Sequence, residues 1–183
     1  MRNKSSASST CGSRVALRKR EPLQFEEALR LAVRWLGRRD RPGGELERKL
    51  CEKGADQAVA ARVVEHLRER GWLDDAGWAE RWIAAHLERG WGRHRLVGGL
   101  LGRGFSRAEA EELVARLVGR ETEVREGLRV LQRRWRPPEG GNRWASASSF
   151  LRRRGFSGES LAALKKRLET EGWADLDNPE EGE

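Results

Sequence analysis

The sequence predicts an all-α fold: an elongated array of three tandem three-helix repeats, about nine helices in total. Two observations carry that expectation. Apolar residues recur at helical spacing along most of the chain, and no convincing alternating stretch marks a strand. A register of leucines and glycines then returns at intervals of 50 and 51 residues, on Gly54, Gly104 and Gly155. Four residues before these glycines stand Leu50, Leu100 and Leu151. Nine after stand Val63, Leu113 and Leu164, and thirteen after stand Leu67, Leu117 and Leu168. A unit of this size cannot bury both faces alone, so neighbours must stack.

Each element follows in order. Phe25, Ala28, Ala32, Trp35 and Leu36 form one helical stripe, and Leu46 and Leu50 a short second one that Gly54 ends. Asp56 is placed to cap a third helix, with Val59, Val63 and Leu67 facing inward and Gly71 closing it. The pattern restarts with Trp78, Trp82 and Ala85, then Leu96 and Leu100 before Gly104. Ser106 with Glu109 reads as a capping box ahead of Ala110, Leu113 and Leu117. Val124, Leu128, Leu131 and Trp135 open the third unit, followed by Trp144, Ala147 and Leu151 before Gly155. Ser157 heads the last stripe, Leu161, Leu164 and Leu168. The repeats are thus expected over 23–72, 73–120 and 121–173. A disordered basic tail is expected over 1–22 and an acidic tail over 174–183.

The stretch from Arg68 to Arg95 holds four tryptophans and the pair Asp74–Asp75. Gly71 ends one unit, Trp72 and Leu73 are expected to pack at the junction, and Asp74 or Asp75 caps the next helix. Trp78 and Trp82, four apart, fall on that helix's buried face. Gly98, Gly99 and Gly102 weaken the following short helix, since each costs about 1 kcal/mol relative to alanine. They leave it frayed, bent or closely packed against a partner.

Charge narrows the function. The formal net charge is +8. Residues 89–107 carry five arginines and no acid, and residues 129–154 eight arginines against Glu139 alone. Such stretches favour polyanions or acidic protein surfaces. The contact candidates are Arg89, Arg93, Arg95 and Arg103 in the second unit, with Arg152, Arg153, Arg154, Lys165 and Lys166 in the third. The N-terminal tail lacks the apolar core of a secretory signal; an organellar transit peptide shares its composition, but a disordered tail is the preferred reading. No apolar run is long enough to span a bilayer. Cys11 and Cys51 form no metal or redox motif, which makes the reducing cytoplasm the default. His66, His86 and His94 lack ligand spacing, and neither a phosphate loop nor a nucleophilic serine motif is present. No catalytic residue, metal or cofactor is therefore expected, and the protein is not expected to be an enzyme.

The run "ELERKLCEKGADQAVAARVVEHLRERGWLDDAGWAERW" followed by "RGWGRHRLVGGLLGRGFSRAEAEELV" resembles the RecX family, bacterial regulators of the RecA recombinase. The features are Leu46, Lys49, Leu50, Lys53 and Gly54; then Gly71 to Asp75; then Gly90, Gly92, Arg93 and Arg95. The likeness covers about residues 23–173 and is weaker in the third unit. Gly98, Gly99 and Gly102, and the long connection "RPPEGGNRW", depart from it. The resemblance implies a non-enzymatic modulator, mainly an inhibitor, that binds the RecA filament on single-stranded DNA. It would restrain filament growth, ATPase, strand exchange and repressor cleavage, and so act on homologous recombination, DNA repair and the SOS response. A monomer is expected, with no membrane partner and with DNA as a second, direct contact. The rival reading is a basic helical protein acting directly on DNA. Against it, the helices after Gly54 and Gly104 carry many acids where a groove-reading helix would be basic.

Overall fold

The structure is a computed structural model that describes residues 22–173. Both tails, and with them Cys11, lie outside the described residues. Nine helices are found among the described residues, and no strand longer than one isolated bridge. They are α1 (Phe25–Leu36), α2 (Gly43–Glu52), α3 (Gln57–Glu69), α4 (Asp75–Glu88), α5 (Arg93–Leu101), α6 (Arg107–Leu117), α7 (Arg120–Arg134), α8 (Arg143–Arg153) and α9 (Gly158–Glu171).

Three separate cores divide them into triplets. Ala28, Ala32, Leu46, Leu50, Val63, Val64 and Leu67 bring α1–α3 together. Trp78, Trp82, Ile83, Leu96, Leu100 and Val114 join α4–α6. Val124, Leu131, Leu151, Phe156, Leu161 and Leu164 join α7–α9. Within each triplet the second helix ends the same way. The residue after the glycine donates its amide to the carbonyl of the leucine five positions before it: Ala55 to Leu50, Phe105 to Leu100, and Phe156 to Leu151. Gly54, Gly104 and Gly155 hold φ of 98°, 92° and 84°, a region costly for any side chain.

Three sequence expectations are corrected. The inward stripes of the second unit are shifted: Ala85 and Leu117 are exposed, while Ile83, Val114 and Val118 fill that core. Trp72 does not pack at the junction: it is 55% exposed with the Arg70 guanidinium beside its ring, while Leu73 alone turns inward, into the first core. Asp56 occupies the N-cap position of α3, yet its carboxylate makes no capping bond. Of the Asp74–Asp75 pair, Asp74 caps α4 by accepting from the Gly77 amide at 2.9 Å. Ser106 and Glu109 close the reciprocal box on α6.

Glycine in α5 has a local cause. At Gly99 a Cβ would lie 2.3 Å from the Trp82 indole, so the missing side chain lets that ring rest on the helix backbone. The close partner is thus α4 of the same triplet, and α5 remains a regular helix. Gly98 faces open space.

Candidate functional site

The triplets meet through helix ends, and these junctions position the charged face. The second helices of the first two units begin behind Pro42 and Gly92, neither of which offers a capping side chain. Their orphan amides are satisfied by the next unit. The Gly43 amide donates to Asp75 Oδ1 at 2.6 Å, and the Arg93 amide to Glu123 Oε1 at 2.9 Å. Gly43 and Arg93 are 50 residues apart, so the same register position is capped in trans twice. The third unit has no successor among the described residues, and there Asn142 caps its own helix by accepting from Ala145.

Backbone contact completes each junction. A Cβ on Gly44 would stand 2.6 Å from the Gly104 Cα, and one on Gly92 would stand 2.3 Å from the Phe156 nitrogen. The Gly92 amide donates to the Arg154 carbonyl at 2.8 Å, and that of His94 to the Gly155 carbonyl at 2.9 Å. Asp75 also takes two bonds from the Arg68 guanidinium, and Asp40 pairs with Arg81 across the same joint. Glu123 is fully buried and takes three further bonds, from the Ser157 amide and from the hydroxyls of Ser157 and Ser160.

The second junction brings several of the predicted arginines together. Arg95 lies against Gly155, with its guanidinium 4.1 Å from the centre of the Trp91 ring. Arg154 lies over Phe150 at 4.7 Å, held by its carbonyl's bond to Gly92. Burial first, then the charges of Arg134 and Arg95, press the Arg154 guanidinium below its ordinary value. Like charges therefore crowd here from α5, α7 and α8. Arg103 lies over Trp82 at 4.6 Å and donates to the Gly99 carbonyl, which ties part of it to the fold. His86 stacks on Trp82 at 4.0 Å and donates from Nδ1 to the Trp82 carbonyl. Burial holds His86 below its usual value, with the bond to Trp82 opposing and Arg89, Arg103 and Arg95 adding to the depression.

The remaining candidates are more scattered. Arg152 and Arg153 are exposed on the last turn of α8. Lys165 pairs with Glu169 along α9, and Lys166 is exposed beside it. Arg93 contributes its backbone amide to the junction. Two residues escaped the sequence reading. Arg134 is placed in the cluster only by the fold, and Glu123 looked like one more solvated acid in "GRETEVREG". The one available signal was indirect: Pro42 and Gly92 cannot cap a helix by side chain, so an acceptor had to come from elsewhere.

Three three-helix units chained by their ends, with arginines from three helices gathered at the second joint, define a tandem-repeat protein. The first unit matches the family model described as "RecX, first three-helix domain" over residues 28–67. Regulatory protein RecX of Stenotrophomonas maltophilia (strain R551-3) is 33% identical over 147 residues, covering 79% of this chain and 86% of that protein. That of Treponema pallidum (strain Nichols) is 34% identical over 147 residues, covering 80% and 87%. The crystal structure of RecX from Lactobacillus salivarius superposes with a TM-score of 0.69 at 17% identity, over 80% of this chain and 97% of that one. The chain belongs to the RecX family of regulatory proteins.

Proposed function

We propose that this protein is a non-enzymatic, mainly inhibitory modulator of RecA, acting in the cytoplasm on the recombinase filament bound to single-stranded DNA. It lies along the filament and restrains growth, ATPase, strand exchange and repressor cleavage. The observation that carries the reading is the arginine cluster of Arg95, Arg134 and Arg154 at the second junction, in a chain whose relatives are named regulatory proteins. None of these three has a carboxylate ion pair among the described residues, and their mutual repulsion is relieved by an anionic partner. Arg89, Arg93, Arg103, Arg152, Arg153, Lys165 and Lys166 extend the contact surface. Several modest contacts along one array then add to a firm attachment.

The test is RecA's DNA-dependent ATPase titrated with this protein. Inhibition is expected, with tighter binding to RecA on single-stranded DNA than to the same DNA alone. Filament binding should also fall less steeply with salt, because protein–protein contacts release no counterions. Charge reversal at Arg152, Arg153 and Arg154 should weaken filament binding in protein that still folds. Equal affinity for bare DNA and filament at every salt, with an unchanged ATPase, would favour direct DNA binding instead.

A further inference from the structure

Successive turns of α4 carry rings four residues apart: Trp78, Trp82 and His86. Trp78 and Trp82 stack at 6.1 Å, and His86 continues the row, 4.0 Å from Trp82 and 4.6 Å from Trp91. Trp78 and Trp82 are buried, whereas the imidazole is half-buried at the end of the row. The Trp82 carbonyl can only accept, so the proton of neutral His86 sits on Nδ1, and Nε2 is the open basic atom. Nε2 has no hydrogen-bond partner among the described residues. Guanidinium groups gather around this ring. Arg95 lies over Trp91 at 4.1 Å and Arg103 over Trp82 at 4.6 Å, the two indoles that flank the imidazole. Arg89 closes α4 three residues on. None of these three has a carboxylate ion pair among the described residues, and no carboxylate is among the groups acting on His86. From the neighbouring helices, Arg129 of α7 stops at the Glu88 carbonyl and is paired with Glu126, and Arg154 of α8 lies beside Gly90.

We propose that His86, Arg89, Arg95 and Arg103 form a binding site for a phosphate of single-stranded DNA, and that His86 Nε2 takes up a proton as the site fills. The inference rests on the reading that this face meets an anionic partner, but it does not need RecA. A phosphodiester keeps its negative charge throughout the range in which imidazole titrates. Placed among the three guanidinium groups, it offsets the field that keeps His86 neutral, and the new Nε2–H donates to a phosphate oxygen. The coupling is reciprocal: the factor by which phosphate favours the proton is the factor by which the proton favours phosphate. Binding therefore tightens as pH falls. A nucleic-acid strand fits better than an acidic protein surface because the cations continue from Arg95 to Arg154 and Arg134. Such a row matches a backbone that carries a charge on every residue.

Fluorescence anisotropy with labelled oligothymidylate tests the proposal, since thymine itself does not titrate in that range. From about pH 7.5 to about pH 5.5 the affinity should rise about tenfold, the equivalent of raising His86 by about one pH unit. His86→Phe keeps a stacking ring and should lose that rise, whereas His94→Gln should keep it. Arg89→Gln with Arg95→Gln should weaken binding and, in the free protein, raise the proton affinity of His86 read by NMR titration. Arginines that only brace the fold would leave that titration unmoved. If His86→Phe melts too early, NMR titration of His86 in the parent, with and without oligothymidylate, reads the same coupling. A pH dependence that survives His86→Phe, or a His86 titration that ignores the oligonucleotide, overturns the proposal. So does an equal and equally pH-dependent affinity for an oligoaspartate of the same charge, which would assign the site to an acidic protein surface. RecA's ATPase remains a separate readout: failure to inhibit it would sink the regulatory reading and leave this site standing.

Discussion

Single residues separate where their neighbours differ. Gly98 and Gly99 are adjacent and both lie inside α5, yet only Gly99 lies against a ring. Gly98→Ala is expected to stabilise the protein by about 1 kcal/mol, the ordinary helix gain. Gly99→Ala is expected to destabilise it, because the new methyl displaces Trp82 and disturbs the stack with His86 and Arg103. Thermal melting of the two variants reads opposite signs, and equal shifts would refute the packing account. His86 adds a pH dependence of definite sign. Its proton affinity is lower in the fold than its ordinary value of 6.5, so the unfolded chain takes the proton first on acidification. Stability is therefore complete above that value and is lost as pH falls towards and through the lower folded one. His86→Phe should flatten the melting temperature between pH 7 and 5 relative to the parent, a span of about two units around the imidazole range.

Among the elements, the joints follow a rule that the helices alone do not display. Glu123→Ala is expected to cost about 3 kcal/mol or more, since it leaves the amides of Arg93 and Ser157 and two hydroxyls without an acceptor. Glu123→Gln keeps the shape and should cost less. Asp74→Ala removes one exposed cap and should cost about 1 kcal/mol. Chemical denaturation ranks the three, and a Glu123→Ala effect no larger than that of Asp74→Ala would deny the clasp its weight. The stripes and the glycine register were legible in the sequence because they are local, set by residues three, four or thirteen apart, except in the second unit, where Leu117 faces outward and Val114 and Val118 fill the core. The clasp was not, because Asp75 and Glu123 meet amides 32 and 30 residues away, and neither side chain differs in kind from the surface acids around it. Trp72 was misplaced for a related reason. Apolar character marks a residue for burial, but the sharp turn at Gly71, with φ of 68°, directs Leu73 rather than Trp72 inward. Arginine runs pointed to the charged region, while the grouping of Arg134 with Arg95 and Arg154 needed the fold.

For the whole molecule, the chain of caps gives the array a direction. Each of the first two units depends on the one that follows it, and the third closes on itself through Asn142. Removing residues 121–173 should therefore lower the melting temperature of what remains, because Arg93 loses its acceptor and Gly92 its backbone partners. An unchanged melt of the shortened chain, followed by tryptophan fluorescence, would show that the units are independent. The same dependence bears on synthesis. A ribosome makes the amide of Gly43 first and the carboxylate that satisfies it 32 residues later. At about 5–20 residues per second, that helix end waits about two to six seconds for its partner. The nascent chain is thus completed from its last-made part backwards, against the order in which it leaves the ribosome.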